Sequence, residues 1–285
     1  MPYGIPGETV RDWTKKYLRK QGLLEGIYHK DKLKVLALGD LHYPFQIDNL
    51  LDVLSPFKNK VDVLLFGGDE QDCQSISKFR KKYRVPFVDE MIGTRQMLID
   101  IIDLIKPQKV IFLKGNHNER LLNFLSDNLN EDILEFMPDS NLELICLEGF
   151  YKKDRQNKTK TYYEPLTKVF PNIDIVYDGS WFAQIGDVIY CHPSAYKNAI
   201  LKTSESAWIY FLQQGFKFNH MVLFHTHMQG MYRYGSGWLI ETGSMCKEME
   251  YATQGKFMRP QANGFLYAIY DNNKFVYENS KLVNL

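Results

Sequence analysis

Residues 61–72, VDVLLFGGDEQD, pass from an apolar run through two glycines into three acids and an amide. An uninterrupted apolar stretch closed by turn residues reads as a strand buried on both faces. The carboxylates of Asp69 and Asp72 therefore stand where a buried strand stops. LKVLALG (33–39) and KVIFLKGN (109–116) repeat the pattern. In the intervals between them, QIDNLLDVLSPF (46–57) and VDEMIGTRQMLIDIIDLI (88–105) carry apolar residues at helical spacing. Strand and helix alternate, which predicts parallel strands joined by helical crossovers. In such sheets ligands bind outside the carboxyl ends of the strands.

The second half reads differently. IDIVYDG (173–179), WFAQIG (181–186), DVIYCHP (187–193), MVLFHTH (221–227), YRYG (232–235), GWLIETG (237–243) and GFLYAIYDNNKFVYEN (264–279) are short, hairpin-rich strands. SAWIYFLQQGF (206–216) supplies one helix. The expectation is a second, largely antiparallel sheet packed on the first. Residues 1–30 read as an N-terminal arm and 31–285 as one domain. About 120–170 reads as an insertion that ends in the polar tract YKKDRQNKTKTYYE.

With 285 residues, 45% of them hydrophobic, the chain can bury one large core. Its 35 basic and 34 acidic residues nearly cancel, so no global field calls for nucleic acid or a membrane. Cys73, Cys146, Cys191 and Cys246 are widely separated and form no C-x-x-C pair, which suggests neither a zinc knuckle nor a disulfide framework and fits a reducing compartment. No apolar run approaches the roughly 20 residues that span a bilayer. The expected location is the cytoplasm.

Five strand ends carry side chains able to bind metal: Asp40 and His42 in GDLHYP, Asp69 and Asp72 in GGDEQD, Asn116 and His117 in GNHNER, His192 in YCHPS, and His225 and His227 in FHTHMQG. Five of the seven histidines are used. Each block alone has an ordinary reading as a turn, a helix cap or two residues sharing a strand face. Together, oxygen and nitrogen donors from separate strand ends suit hard or borderline divalent cations, and one carboxylate can bridge a pair of them. The alternation in Asp-x-His and His-x-His would send both members of each pair to one side of an extended segment. Glycines beside Asp40, Asp69 and Asn116 would allow sharp turns and leave room for a substrate.

In this order the blocks resemble the calcineurin-like metallophosphoesterase superfamily, whose pattern is D-x-H, G-D-x-x-D, G-N-H-[DE], a lone H, and G-H-x-H. The resemblance covers roughly residues 33 to 245. It implies an α/β four-layer sandwich, two mixed β-sheets face to face with helices outside. It also implies two divalent metal ions, with Mn²⁺ placed first and Fe or Zn²⁺ also suited. One ion would be held by Asp40, His42 and His227, the other by Asn116, His192 and His225, with Asp69 bridging. His117 would protonate the leaving oxygen or contact phosphate, and Asp72 would orient it.

Three departures bear on this. Phe224 replaces the usual Gly, which would crowd the approach to His225. Asn118 replaces the usual acid. Cys73 stands where the Ser/Thr phosphatase branch has a phosphate-clamping Arg, and Arg120 is the candidate substitute. The basic, aromatic tracts KFRKKYR (78–84) and 151–163 read either as solvated faces or as a track for a nucleic-acid backbone. The expected function is a metal-dependent phosphodiesterase or nuclease acting on single- or double-stranded nucleic acid or nucleotides. The alternatives are a phosphomonoesterase on small molecules or phosphoprotein, and a noncatalytic binding module. The oligomeric state stays open.

Overall fold

The computed structural model describes residues 32–78, 84–154, 156–197, 199–248 and 261–285. The expected N-terminal arm and residues 79–83 of the first basic tract lie outside the described residues.

In chain order the strands are β1 (Lys32–Leu38), β2 (Val63–Phe66), β3 (Lys109–Phe112), β4 (Phe150–Asp154), β5 (Thr159–Tyr163), β6 (Asp174–Tyr177) and β7 (Phe182–Ile185). They continue with β8 (Val188–Cys191), β9 (His220–Leu223), β10 (Gln229–Tyr234), β11 (Gly237–Thr242), β12 (Gly264–Asp271), β13 (Lys274–Phe275) and β14 (Lys281–Asn284). The longer helices are α1 (Leu50–Leu54), α2 (Phe87–Ile105), α3 (Arg120–Asn128) and α4 (Lys202–Gln213).

One sheet runs β13-β12-β1-β2-β3-β6, with β14 on β12. Its centre, β1-β2-β3-β6, is parallel, as the alternation of strand and helix predicts. The other sheet runs β10-β11-β9-β8-β7. Two expectations are corrected here. The segments at 173–179 and 264–279 join the first sheet, not the second, through β6 on β3 and β12 on β1. The second sheet is also mixed and not largely antiparallel, because β9 pairs in parallel with both β8 and β11. Hairpin-like spacing cannot reveal which distant strand a segment will join.

The side-chain alternation of β1 shows how the layers form. Leu36 and Leu38 face a cluster that includes Leu98, Ile101, Ile102 and Ile105 of α2. Val35 and Ala37 face the other way, into a cluster shared with Ile185, Val188, Tyr190, Val222 and Ile240 of the second sheet. The far face of that sheet, with Ile189, Met221 and Leu239, is closed by Ala207, Trp208 and Phe211 of α4. Helix, sheet, sheet and helix make four layers, and a strand with apolar residues on both faces is what the two inner layers require.

Within the segment expected to be an insertion, β4 and β5 form a separate two-stranded ribbon. Leu142, Ile145, Cys146, Phe150 and Leu166 anchor the segment to the helix-side core. Among the described residues no helix is long and apolar enough to cross a membrane.

Candidate metal centre

Because β1, β2 and β3 are parallel, the loops after them leave the same edge of the first sheet. The loops after β8 and β9 leave the second sheet together for the same reason. Hydrogen bonds knit these exits: Asp40 N donates to Gly68 O (3.1 Å), His42 N to Asp69 O (2.8 Å) and Phe224 N to Cys191 O (3.1 Å). The backbone is not extended here. Asp40, His42, Asp69, His225 and His227 have φ of 55°, 49°, 58°, 79° and 54°. The expectation that each pair grips from one side of an extended segment is thus corrected. Left-handed backbone on non-glycine residues costs of order 1–3 kcal/mol each and collects at functional sites.

The structure brings the expected donors into two clusters that share Asp69. In the first, His42 and His227 have their Nε2 atoms 3.1 Å apart. Asp40 Oδ1 lies 3.2 Å from His227 Nε2, and Asp69 Oδ2 lies 3.9 Å from His42 Nε2. In the second, His192 Nε2 is 3.4 Å from Asp69 Oδ2 and 3.1 Å from Asn116 Oδ1. The His225 ring centroid is 5.1 Å from that of His192. His225 and His227 therefore serve different clusters. The His192 Nδ1–H donates to Gly67 O at 2.7 Å, which leaves Nε2 as the donor facing Asp69.

Unsatisfied atoms and excess negative charge show that the cradle fits cations. Asp40 Oδ1, His42 Nδ1 and His225 Nε2 are buried without a hydrogen-bond partner. Burial lowers the pKa of His42, yet the carboxylates of Asp40, Asp72 and Asp69, at 3.8, 3.6 and 3.9 Å from its ring nitrogens, carry it up to about 10. His192 and His227 likewise rise to about 9 against the burial effect, driven by Asp69 and Asp40 respectively. Oxygen and imidazole donors in such a negative setting match divalent cations of the hard or borderline kind.

His117 lies between the clusters and α3. Its Nδ1 is 3.1 Å from Asp72 Oδ1, and its backbone N–H donates to Asp69 Oδ1 at 2.8 Å. Arg120 is turned inward. It donates through Nη2 to His117 Nε2 (2.8 Å) and through Nη1 to Asp72 O (2.5 Å). Burial, followed by the opposing pull of Asp69 and the push of His42, brings the His117 pKa down to about 4.

Two sequence inferences change. Phe224 does not crowd His225: its buried ring packs under the centre, against Gly39 and Gly67. Those glycines thus make room for that ring and not for substrate. Gly68, with φ of 93°, is the glycine that the turn itself requires.

Sequence reasoning missed a buried polar network beneath the site. Asn118 Oδ1 accepts from Asp69 N (3.1 Å) and Gly115 N (2.8 Å), tying two loops together. Its Nδ2 faces Glu70 Oε2 (3.4 Å) and Asn141 Oδ1 (3.3 Å). Glu70 is fully buried, and burial together with the Asp69 charge pushes its pKa up to about 8. Cys246, dismissed for want of a C-x-x-C partner, lies beside His42 and His227. The departure at Asn118 was the one available signal for the network.

A four-layer α/β sandwich with His/Asp clusters at its strand ends is an architecture able to hold divalent metal ions. The chain belongs to the calcineurin-like phosphoesterase family, whose model matches residues 33–229. Similar solved structures include wild-type Vps29 complexed with zinc from Entamoeba histolytica, 15% identical, with 89% of this chain and 98% of that one covered and a TM-score of 0.39. A predicted phosphoesterase from Streptococcus pneumoniae is 12% identical over 89% and 98% of the two chains, with a TM-score of 0.31. A novel archaeal phosphodiesterase is 9% identical over 88% and 100%, with a TM-score of 0.33. No curated protein sequence matches the chain.

Proposed function

We propose that the protein hydrolyses phosphodiesters of nucleic acids or nucleotides in a metal-dependent reaction. The observation that carries this reading is the Asp72–His117 pair, 3.1 Å apart, set beside two donor clusters that share one carboxylate. Two divalent cations, when bound by Asp40, His42 and His227 and by Asn116, His192 and His225 with Asp69 common to both, would supply Lewis acidity to the phosphoryl group and lower the pKa of the attacking water.

The chain's own residues account for the rest. The Asp72 main-chain O accepts from His117 Nδ1–H at 3.1 Å and fixes the ring, so that Nε2 is the atom facing the site. Once Arg120 leaves it, Nε2 takes up a proton from solvent, forming the imidazolium, and passes that proton to the departing oxygen. Arg120 now occupies that nitrogen, and an arriving phosphate draws the guanidinium onto its own oxygens. With Cys73 in the place of a clamp and Arg120 supplying a single guanidinium, the site offers little positive charge of its own to a dianionic monoester. This favours the singly charged diester. The β4–β5 ribbon supports a polymeric substrate: Tyr151 and Tyr162 are exposed and ring-paired at 4.7 Å, and the Lys160 ammonium stands 3.7 Å over the Tyr151 ring.

The test is a screen of metal-reconstituted enzyme against matched mono- and diesters, including single- and double-stranded DNA and RNA. The expected result is a kcat/KM for diesters at least tenfold above that for the matching monoesters. A preference for monoesters would overturn the diester reading, and no turnover with any metal would overturn the enzymatic one.

A further inference from the structure

We propose that the sulfur of Cys246 is a ligand of the cation held by Asp40, His42 and His227, and that it selects zinc or ferrous iron over manganese there. The inference rests on the metal-dependent reading above and names a donor which that reading does not contain.

Geometry carries it. Cys246 is fully buried, and its sulfur lies with one ring nitrogen each of His42 and His227 so that all three are within 4.8 Å of one another. The backbone fixes that position from both sides. Met245 N donates to Gly39 O and Asp40 O (3.2 Å each), Ile47 N to Met245 O (3.0 Å) and Lys247 N to Phe45 O (2.8 Å). Asn263 Nδ2 holds Cys246 O at 2.8 Å. The stretch carrying the thiol is thus strapped across the loop that carries Asp40 and His42.

A second observation points into the same space. Asp40 Oδ1 is fully buried and has no hydrogen-bond partner, although it sits 3.2 Å from His227 Nε2 and 3.8 Å from His42 Nε2. A buried carboxylate oxygen left without a hydrogen-bond partner beside two imidazole nitrogens is costly unless a cation completes the group.

Donor chemistry then decides which cation. Two imidazoles, a carboxylate and a thiol form a mixed nitrogen, oxygen and sulfur set, which suits zinc and ferrous iron, whereas manganese prefers oxygen. The second cluster, with Asp69, Asn116, His192 and His225, offers only oxygen and nitrogen. The two positions are therefore chemically unequal. On coordination the S–H bond breaks, the sulfur–metal bond forms and the proton leaves to solvent.

The test uses anaerobically purified full-length protein, stripped of metal and reconstituted separately with cobalt(II), zinc and manganese. Cobalt-loaded wild type should show a near-ultraviolet sulfur-to-cobalt charge-transfer band. X-ray absorption at the zinc edge should show one sulfur at about 2.3 Å among nitrogen and oxygen at about 2.0–2.1 Å. Cys246→Ser should lose the band and bind zinc roughly 10–100-fold more weakly, with manganese affinity nearly unchanged. Two cobalt ions bound without the band or the sulfur would overturn the inference and leave the metal-dependent reading standing. A band that persists in Cys246→Ser would assign the sulfur to another cysteine and overturn it. Failure of wild type to bind any metal would overturn both. Should Cys246→Ser not fold, Cys246→Ala takes its place with the same readouts, and a band that persists in it overturns the inference.

Discussion

Gly39 and Phe224 fit as hole and knob: a Cβ on Gly39 would clash with Phe224 Cδ1, and one on Gly67, at the next strand's end, would come within 2.5 Å of the same ring. The loops that carry Asp40, Asp69 and His225 are therefore held at their spacing by one buried aromatic. Phe224→Ala should cost about 3–5 kcal/mol, and Gly39→Ala about 1–3 kcal/mol by overpacking. In the double variant the methyl group occupies part of the space left by the ring, so urea unfolding should show a total at least about 0.5 kcal/mol below the sum. Strict additivity would mean that the two residues do not share that space.

Asp69 is the carboxylate common to both clusters, with His192 at 3.4 Å on one side and His42 at 3.9 Å on the other. Asp69→Asn should abolish binding at both positions together. Wild type, because only the folded state binds, should gain about 2.7 kcal/mol in metal at a hundredfold excess over Kd, seen as a rise in Tm. The variant should show no such rise. Retention of one full equivalent by elemental analysis would contradict the shared role.

His117 should matter most where the leaving group is poor. His117→Asn should lose about 10²–10⁴-fold in kcat/KM on alkyl or nucleotide diesters. It should lose far less on a nitrophenyl diester, with metal content unchanged in both assays. Equal losses on the two substrates would leave phosphate binding as the role of this ring.

Asn118→Asp would restore the acid usual in the family at this position, and the structure predicts that it harms this chain. The amide gives its Nδ2 to Asn141 and Glu70, and a carboxylate would take that donor from the buried Asn141 Oδ1 and bury a new charge in the network. A loss of about 1–3 kcal/mol by urea unfolding at neutral pH is expected. No loss would show that Asn141 is accommodated without that donor.

Neutralising Lys153, Lys158 and Lys160 together should weaken binding to single-stranded DNA. It should also reduce the slope of log affinity against log salt by about 0.7 for each phosphate that the variant no longer neutralises. Turnover of a small chromogenic diester should be unchanged. Identical salt slopes for wild type and variant would make the ribbon a solvated face, as for Lys78, whose exposed ammonium meets Asp127 at 3.0 Å.

The sequence by itself determined the parallel centre of the first sheet and the strand ends at which donors stand, because both follow from local rules. A strand buried on both faces must be apolar throughout, and Val63–Phe66 is fully buried. An acid just beyond it marks an exit, as Asp69 does. The position of the candidate donors at strand ends was legible for the same reason, since each lies within a few residues of such an end. Tertiary structure alone decided which sheet β6 and β12 would join, because register with β3 and β1 is a long-range choice that local periodicity does not encode. It alone turned Phe224 beneath the site, folded Arg120 onto His117 and set Cys246 against His42 and His227. Those outcomes depend on the volume and charge of partners far away in the chain: two glycines for the ring, a neutral imidazole for the guanidinium, and a strapped loop for the thiol.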